Sequence, residues 1–347
     1  MLARKSGRIS TGTIAGSFHS TEWRLFLLPK SFKTIDEQIK ILTDRGMYID
    51  EKSLEYVKKY LLTNNYYSII NGYSKPFLEK ENLYKSGTTF EEVCSLYLFD
   101  KDIKSALFDA TLNVERHLKS IFAYRFAEAH QDETFAFLDV SSFNHNYSFE
   151  IAYIVNKLNK IIQKNKKYHN NSIDHYISHY HNVPIWVLVD FLDFGDLYTL
   201  IKVIPPTIQN KIAKDLSSFI KDNDPSFSGL FPSETMLSFI KNIHETRNVC
   251  AHNNRLIYFN CRSDSIYFEP LHSRYNISSD DSRKNTYATF ISTQYFLSKT
   301  EYAKLHNTIR KRFRYLNNKL STIDIEEIEN LLGFPKQWYK TPKIEQN

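Results

Sequence analysis

An all-α fold is the expectation for this chain, and three features carry it. Only 9 Gly and 10 Pro are spread over 347 residues, too few for a turn-rich β protein. From Phe90 to Ala129 neither residue occurs, and Leu96, Phe99, Ile103, Leu107, Ala110, Val114, Leu118, Ile121 and Phe122 recur at steps of three and four, the spacing of one helical face. Two apolar runs begin with capping boxes, Thr34-Ile35-Asp36-Glu37 and Thr88-Thr89-Phe90-Glu91, in which a hydroxyl and a carboxylate satisfy orphan backbone N–H groups reciprocally.

Taken in order, residues 1–30 are rich in Ser, Thr, Gly and Arg and read as a loose tail. Residues 31–85 form an N-terminal helical element. Its first helix opens at Thr34, presents Ile35, Ile39 and Leu42 inward and closes at Gly46. A second helix is expected from Glu51 to Leu62, and the run from Asn64 to Tyr73 fits either a helical turn or a short strand. Residues 86–320 form a large helical bundle. It is built from the Phe90–Ala129 helix, a helix over Ile151–Ile162, and an apolar helix that opens at Val183-Pro184-Ile185-Trp186 and breaks at Gly195. Further helices are expected over Ile208–Ile220, Ser233–Ala251, Tyr287–Leu297 and Tyr302–Leu316. The polar segment 261–284 is expected to be a loop with a short strand at Ser265-Ile266-Tyr267-Phe268. Residues 321–347 hold an acidic helix over Ile323–Leu332, stopped by Gly333 and Pro335, and a tail.

Composition narrows the function classes. With 42% apolar and 24% charged residues the chain is expected to be soluble and globular. Its net charge of +6 suits a polyanionic partner without demanding one. Cys94, Cys250 and Cys261 follow no CxxC spacing, so neither a disulfide scaffold nor a cysteine zinc site is expected, and a reducing cytoplasm is. No apolar run approaches the roughly 18 residues of a membrane span, and no signal-peptide core is visible. No Walker loop, GxSxG or paired-carboxylate signature appears, and no cofactor is expected.

The chemistry concentrates in Thr246-Arg247-Asn248-Val249-Cys250-Ala251-His252-Asn253-Asn254-Arg255-Leu256. A histidine can move a proton near neutral pH, and an arginine can hold a phosphate. Spacing alone does not select this pair, because Arg125 and His130 stand equally far apart at another helix end. His244, Asn248 and His252 are four apart and form one polar stripe, whereas Arg247 and His252 are five apart and diverge by about 140° on a regular helix. Either the helix ends near Ala251 and the chain turns at Asn253-Asn254, or a second copy completes the site. A metal on His244, Asn248 and His252 would lack a strong third or fourth ligand, so none is expected. Glu115 lies mid-helix and serves either as a structural partner or as a polar wall. The cationic runs holding Lys160, Lys164 and Lys167, and Arg310, Arg312 and Arg314, fit either a solvated face or RNA contacts.

Arg247-Asn248-Val249-Cys250-Ala251-His252-Asn253-Asn254-Arg255-Leu256 resembles the signature R-N-x-x-A-H-x-x-R-L of the Abi-like proteins (AbiD/AbiF type), an abortive-infection branch of the HEPN superfamily. Asp44-Arg45-Gly46-Met47, Asn65-Tyr66-Tyr67 with Gly72-Tyr73 and Pro76-Phe77, Phe99-Asp100-Lys101 with Glu115 and Lys119, and Pro184-Ile185-Trp186 with Phe194-Gly195-Asp196-Leu197 resemble other segments of that family in the same order. The likeness spans roughly residues 33 to 320. It implies a HEPN-type helical bundle with an N-terminal helical extension, working as a homodimer without metal. It also implies an endoribonuclease toxin of phage defence, with RNA as substrate, and a small structured non-coding RNA or an antitoxin as further partner. The matched positions are Arg247, Asn248 and His252, with Glu115, His244 and Arg255 in support. The implied chemistry is attack of an RNA 2′-hydroxyl on its own phosphodiester, leaving 2′,3′-cyclic phosphate ends. A non-catalytic RNA-binding or protein-interaction module on the same scaffold is the alternative.

Overall fold

The computed structural model describes residues 31–345 apart from Asp132 and His169. The tail expected over residues 1–30 lies outside the described residues. Among the described residues the chain is helical, as expected, with one short hairpin. The helices are α1 (Ile35–Asp44), α2 (Leu54–Thr63), α3 (Phe90–Ala129), α4 (Ser148–Asn165), α5 (Ser172–Tyr180), α6 (Ile185–Leu188), α7 (Phe194–Val203), α8 (Pro206–Asn223), α9 (Ser233–Ala251), α10 (Glu269–His272), α11 (Thr286–Ser292), α12 (Lys299–Asn317) and α13 (Ile325–Leu332). The hairpin pairs β1 (Leu78–Lys80) antiparallel with β2 (Leu83–Tyr84).

The 40 residues of α3 form the axis of the bundle, about 60 Å long at 1.5 Å per residue. Helices α6, α7, α8, α9 and α12 pack around it. Because it is surrounded, it buries more than one stripe, including the charged Glu92, Asp100, Lys104 and Glu115. Helix α12 runs antiparallel to it: Arg312, Lys304 and Glu301 pair in turn with Asp102 (3.2 Å), Asp109 (2.8 Å) and Arg116 (3.0 Å). Phe99 and Phe313 meet edge-on between the two helices, with centroids 4.7 Å apart. The buried side chains of the N-terminal element and of the bundle belong to one continuous core.

Several local expectations need correction. The capping box of α3 joins Thr89 to Glu92, one residue later than the Thr88–Glu91 reading, because Thr88 sits fully buried and turns its hydroxyl to the Lys85 carbonyl. Glu92 also receives the N–H groups of Ser321 and Thr322 at 2.6 and 2.8 Å, which ties the start of α3 to the loop before α13. Gly195 does not break a helix. It lies in the first turn of α7, and the break falls just before it, where the Asp193 side chain caps the Asp196 N–H. Ser265–Phe268 is not a strand, since the segment finds no ladder partner and leads into α10. The Asn64–Tyr73 run resolves as a π-helical turn over Tyr67–Asn71.

Asp100 is fully buried and connects distant parts of the chain. Its Oδ1 accepts the N–H groups of Leu256 and Ile257, both at 3.1 Å, and its Oδ2 accepts the Tyr73 hydroxyl at 2.7 Å and faces Lys104 Nζ at 3.1 Å. Removing a partner from such a set leaves buried donors and a charge uncompensated, at a cost of about 3–5 kcal/mol. Asp100→Ala is therefore expected to lower the urea midpoint far more than Tyr73→Phe, which removes one hydroxyl worth about 1 kcal/mol. Equal shifts for the two variants would show that Asp100 anchors nothing.

Candidate functional site

Helix α9 buries Met236, Phe239, Ile240, Asn242, Ile243 and Thr246 against the bundle, which leaves His244, Arg247 and Asn248 half-buried on another side. It ends in a Schellman turn. His252 is the last residue in near-helical conformation, Asn253 adopts the left-handed conformation at φ 54°, and the Asn253 and Asn254 N–H groups return to the Cys250 and Val249 carbonyls. Asparagine tolerates that conformation, and Lys104 Nζ holds its side-chain oxygen at 2.8 Å. The helix end at Ala251 and the turn at Asn253 agree with one of the two arrangements expected from sequence. His252 nevertheless keeps the helical register, so the turn does not bring it round to Arg247, and no contact joins the two side chains.

Arg247 belongs to a polar cluster between α9 and α3. Its Nη1 donates to Asn248 Oδ1 at 3.3 Å, its Nη2 lies 4.0 Å from Glu115 Oε2, and its guanidinium faces the Phe108 ring at 5.7 Å. Glu115 is held at its other oxygen by Lys119 Nζ at 2.9 Å, and that ammonium also donates to the Leu192 carbonyl at 2.7 Å. Asn248 Nδ2 lies 3.0 Å from His244 Nε2. Burial lowers the His244 imidazole below its ordinary value and the Arg247 charge lowers it further, against Asp193, Glu245 and Glu115. A neutral ring with an unprotonated Nε2 accepts that Asn248 donor, which fixes the amide so that its oxygen faces Arg247. Gly195 makes room for the ring: a Cβ there would come within 3.2 Å of His244 Nε2. Phe194 meets the ring edge-on with centroids 5.6 Å apart.

Two atoms of this cluster, Arg247 Nε and Glu115 Oε2, are buried without a hydrogen-bond partner among the described residues. Such groups are costly to bury unsatisfied. Glu115 and Lys119 also face a groove of about 960 Å³ along α3, bordered by Arg116, Tyr124, Trp186 and Asp190. His252 is exposed and its side chain has no partner among the described residues.

The other expected residues separate. Arg255 spans to the N-terminal element, where its Nη1 donates to the Gly72 carbonyl at 2.9 Å and the Asn71 carbonyl at 3.4 Å. Lys160, Lys164 and Lys167 are exposed on and just beyond α4. Arg310 is only 5% exposed and donates to the Thr341 carbonyl at 2.9 Å, so it is no surface cation. Arg312 pairs with Asp102, and Arg314 donates to the Tyr339 carbonyl at 2.8 Å. The Arg310–Arg314 run therefore holds the C-terminal segment and α3; the reading of Arg310 as an RNA contact is corrected by its burial, whereas Arg314 stays exposed and Arg312 partly so. Arg125 is bound to Asp215 and Glu128, and His130 to Glu133, so that second Arg/His pair is structural.

Sequence reasoning did not connect Asp193 and Lys157 with the site, although the Asp193 charge acts on His244. Lys157 Nζ lies 3.1 Å from Asp193 and 2.6 Å from the buried Asp196. A helix-start signal at Asp193 was available in the sequence, but nothing there paired it with α4.

Among the described residues no helix is long and apolar enough to cross a membrane, and no group of three or more His, Cys, Asp or Glu is placed to hold a metal ion. No curated protein and no solved structure matches the chain. A family model, that of the Abi-like proteins, matches residues 59–258, a span that begins in α2 and takes in α3, the whole polar cluster and the His252 turn. The chain belongs to the Abi-like protein family.

Proposed function

We propose that this Abi-like chain is a metal-independent endoribonuclease of the HEPN type, acting in abortive infection as a toxin against phage-infected cells. The observation that carries this proposal is the pairing of a half-buried Arg247, oriented by Asn248 and Glu115, with an exposed and unpartnered His252 one turn further on. A half-buried guanidinium whose orientation is fixed is well placed to stabilise charge that develops on a phosphate. An exposed imidazole can be reached by a substrate hydroxyl, as a general base must be.

In the proposed reaction the RNA 2′-oxygen loses its proton to His252 and bonds to the adjacent phosphorus. The bond from phosphorus to the 5′-oxygen breaks, and that oxygen takes a proton from a second acid. The products are a 2′,3′-cyclic phosphate and a 5′-hydroxyl. Arg247 and His252 point apart within one chain, so a symmetric homodimer, in which each copy's Arg247 faces the other's histidine, supplies both groups and the second acid. That same separation is what favours the competing proposal, a non-catalytic RNA-binding module.

End-labelled single-stranded RNA incubated with the pure protein in EDTA separates the two. Cleavage to cyclic-phosphate ends is expected, with His252→Ala slowing it by roughly a hundredfold to ten-thousandfold and Arg247→Ala by roughly a hundredfold to a thousandfold. No cutting of varied RNAs, or cutting that survives His252→Ala in a folded variant, would leave the binding module as the function.

A second expectation concerns His244, which acts through Asn248. His244→Gln should lower the rate much less than His252→Ala and leave the identity of the product ends unchanged. A loss as deep as that of His252→Ala would place His244 among the reacting groups. Expression in bacteria should slow growth, and His252→Ala should relieve the effect; equal growth of both strains would remove the toxin role.

A further inference from the structure

Two concavities lie on either side of the π-helical turn Tyr67–Asn71, and the turn that follows His252 borders one of them. The first, about 400 Å³, is walled by Asn64, Asn65, Lys104 and the residues that follow His252 directly: Asn253, Asn254 and Arg255. The second, about 680 Å³, is walled by Arg45, Tyr66, Asn71 and Lys75. Tyr67 borders both and is 68% exposed. Arg255 joins them as well, since it leaves the His252 turn and ends on the Asn71 and Gly72 carbonyls. No carboxylate lines either cavity among the described residues. What does line them is cations, side-chain amides and tyrosine rings. Arg255 spends its bonds on neutral carbonyls, and Lys75 Nζ lies over the Tyr258 ring at 4.9 Å, so the contacts of both are with neutral groups. The Arg45 charge is felt by Tyr66, whose phenol burial pushes up and Arg45 pulls back. The turn between the cavities is π-helical, a rare conformation that is frequent at functional sites.

We propose that this path is the binding track of an unpaired RNA strand, which runs from the His252 turn across the N-terminal element. Arg255, Lys75 and Arg45 hold successive phosphates, and an unstacked base lies on the exposed Tyr67 ring. The combination has a specific chemical meaning. Phosphates require cations without competing carboxylates, and unpaired bases require exposed aromatic faces. A duplex hides its base faces, so Tyr67 discriminates against it. The proposal gives the N-terminal element a role, that of delivering the strand to the catalytic turn, and it rests on the ribonuclease proposal for the identity of the strand.

The test uses the full chain and a fluorescent 2′-O-methylated RNA 12-mer, which cannot attack its own phosphodiester. Tyr67→Ala is expected to weaken binding roughly tenfold, and Tyr67→Phe to leave it unchanged. Lys75→Ala and Arg45→Ala should each lower the slope of log affinity against log salt by about 0.7. The same sequence as a duplex should bind at least roughly tenfold more weakly. Tyr67 and Lys75 are exposed, so their variants should melt like the parent, and Tyr67→Phe controls for folding. The track is overturned if the 12-mer does not bind, if Tyr67→Ala and Lys75→Ala bind as the parent does, or if the duplex binds equally well. Its failure differs from failure of the ribonuclease proposal. Cutting lost in His252→Ala but indifferent to Tyr67→Ala overturns the track alone, whereas Tyr67-dependent binding with unmodified RNA never cut upholds the track and removes the enzyme.

Discussion

The Asp100 carboxylate, buried in the third turn of α3, takes bonds from three parts of the chain: Tyr73 in the N-terminal element, Leu256 and Ile257 after α9, and Lys104 one turn along its own helix. A buried carboxylate is tolerated only when such partners replace the water it lost. Satisfying it therefore fixes where the chain goes after His252. Lys104 passes the constraint on by holding Asn253 in the left-handed position that ends α9. The exposure of His252, the reach of Arg255 to Gly72 and the cavities beside the π-turn all depend on that placement.

Much of the fold was legible because local signals agreed with the global pattern. The limits of α3 and α9 are those read from the sequence, for α3 from its capping signal, apolar spacing and lack of Gly and Pro, and Thr34–Glu37 capped α1 as read. Legibility failed where tertiary partners chose between local options. Both Thr88 and Thr89 could have capped α3, and the choice fell to the one whose glutamate also reaches Ser321 and Thr322, more than two hundred residues away. Gly195 looked like a breaker, yet its missing Cβ serves the His244 ring across the α7–α9 contact. The Ser265–Phe268 run has strand-like residues but no neighbour to pair with.

The site was legible in part. Arg247, Asn248 and His252 stood out as one motif, and the resemblance placed Glu115 beside them, which the 4.0 Å approach to Arg247 matches. The basic run on α12 misled at Arg310, because charge spacing does not say what covers a helix. Arg310 and Arg314, four apart, share the face on which residues 339–341 lie, and their guanidinium groups close the backbone of that segment. Nothing in the sequence paired Tyr67 with Arg255 either, because the cavity they share exists only once Asp100 has joined the Tyr73 and Leu256 segments.

The separation of Arg247 from His252 bears on how the proposed chemistry could be switched on. If both act on one phosphodiester, either the turn after Ala251 rearranges or two chains contribute. Rearrangement would break the Schellman bonds, the Lys104–Asn253 contact and the two N–H bonds to Asp100 together, each of which leaves a donor or acceptor unpaired. Association asks for none of this. It leaves α9 and its turn intact and brings a second Arg247 towards the exposed imidazole. The groove along α3 is bordered by the exposed Trp186 and Tyr124 and by Glu115, whose Oε2 has no hydrogen-bond partner among the described residues. A single chain would then keep its phosphate-binding and proton-transfer groups apart, and the reaction would be confined to the assembled state.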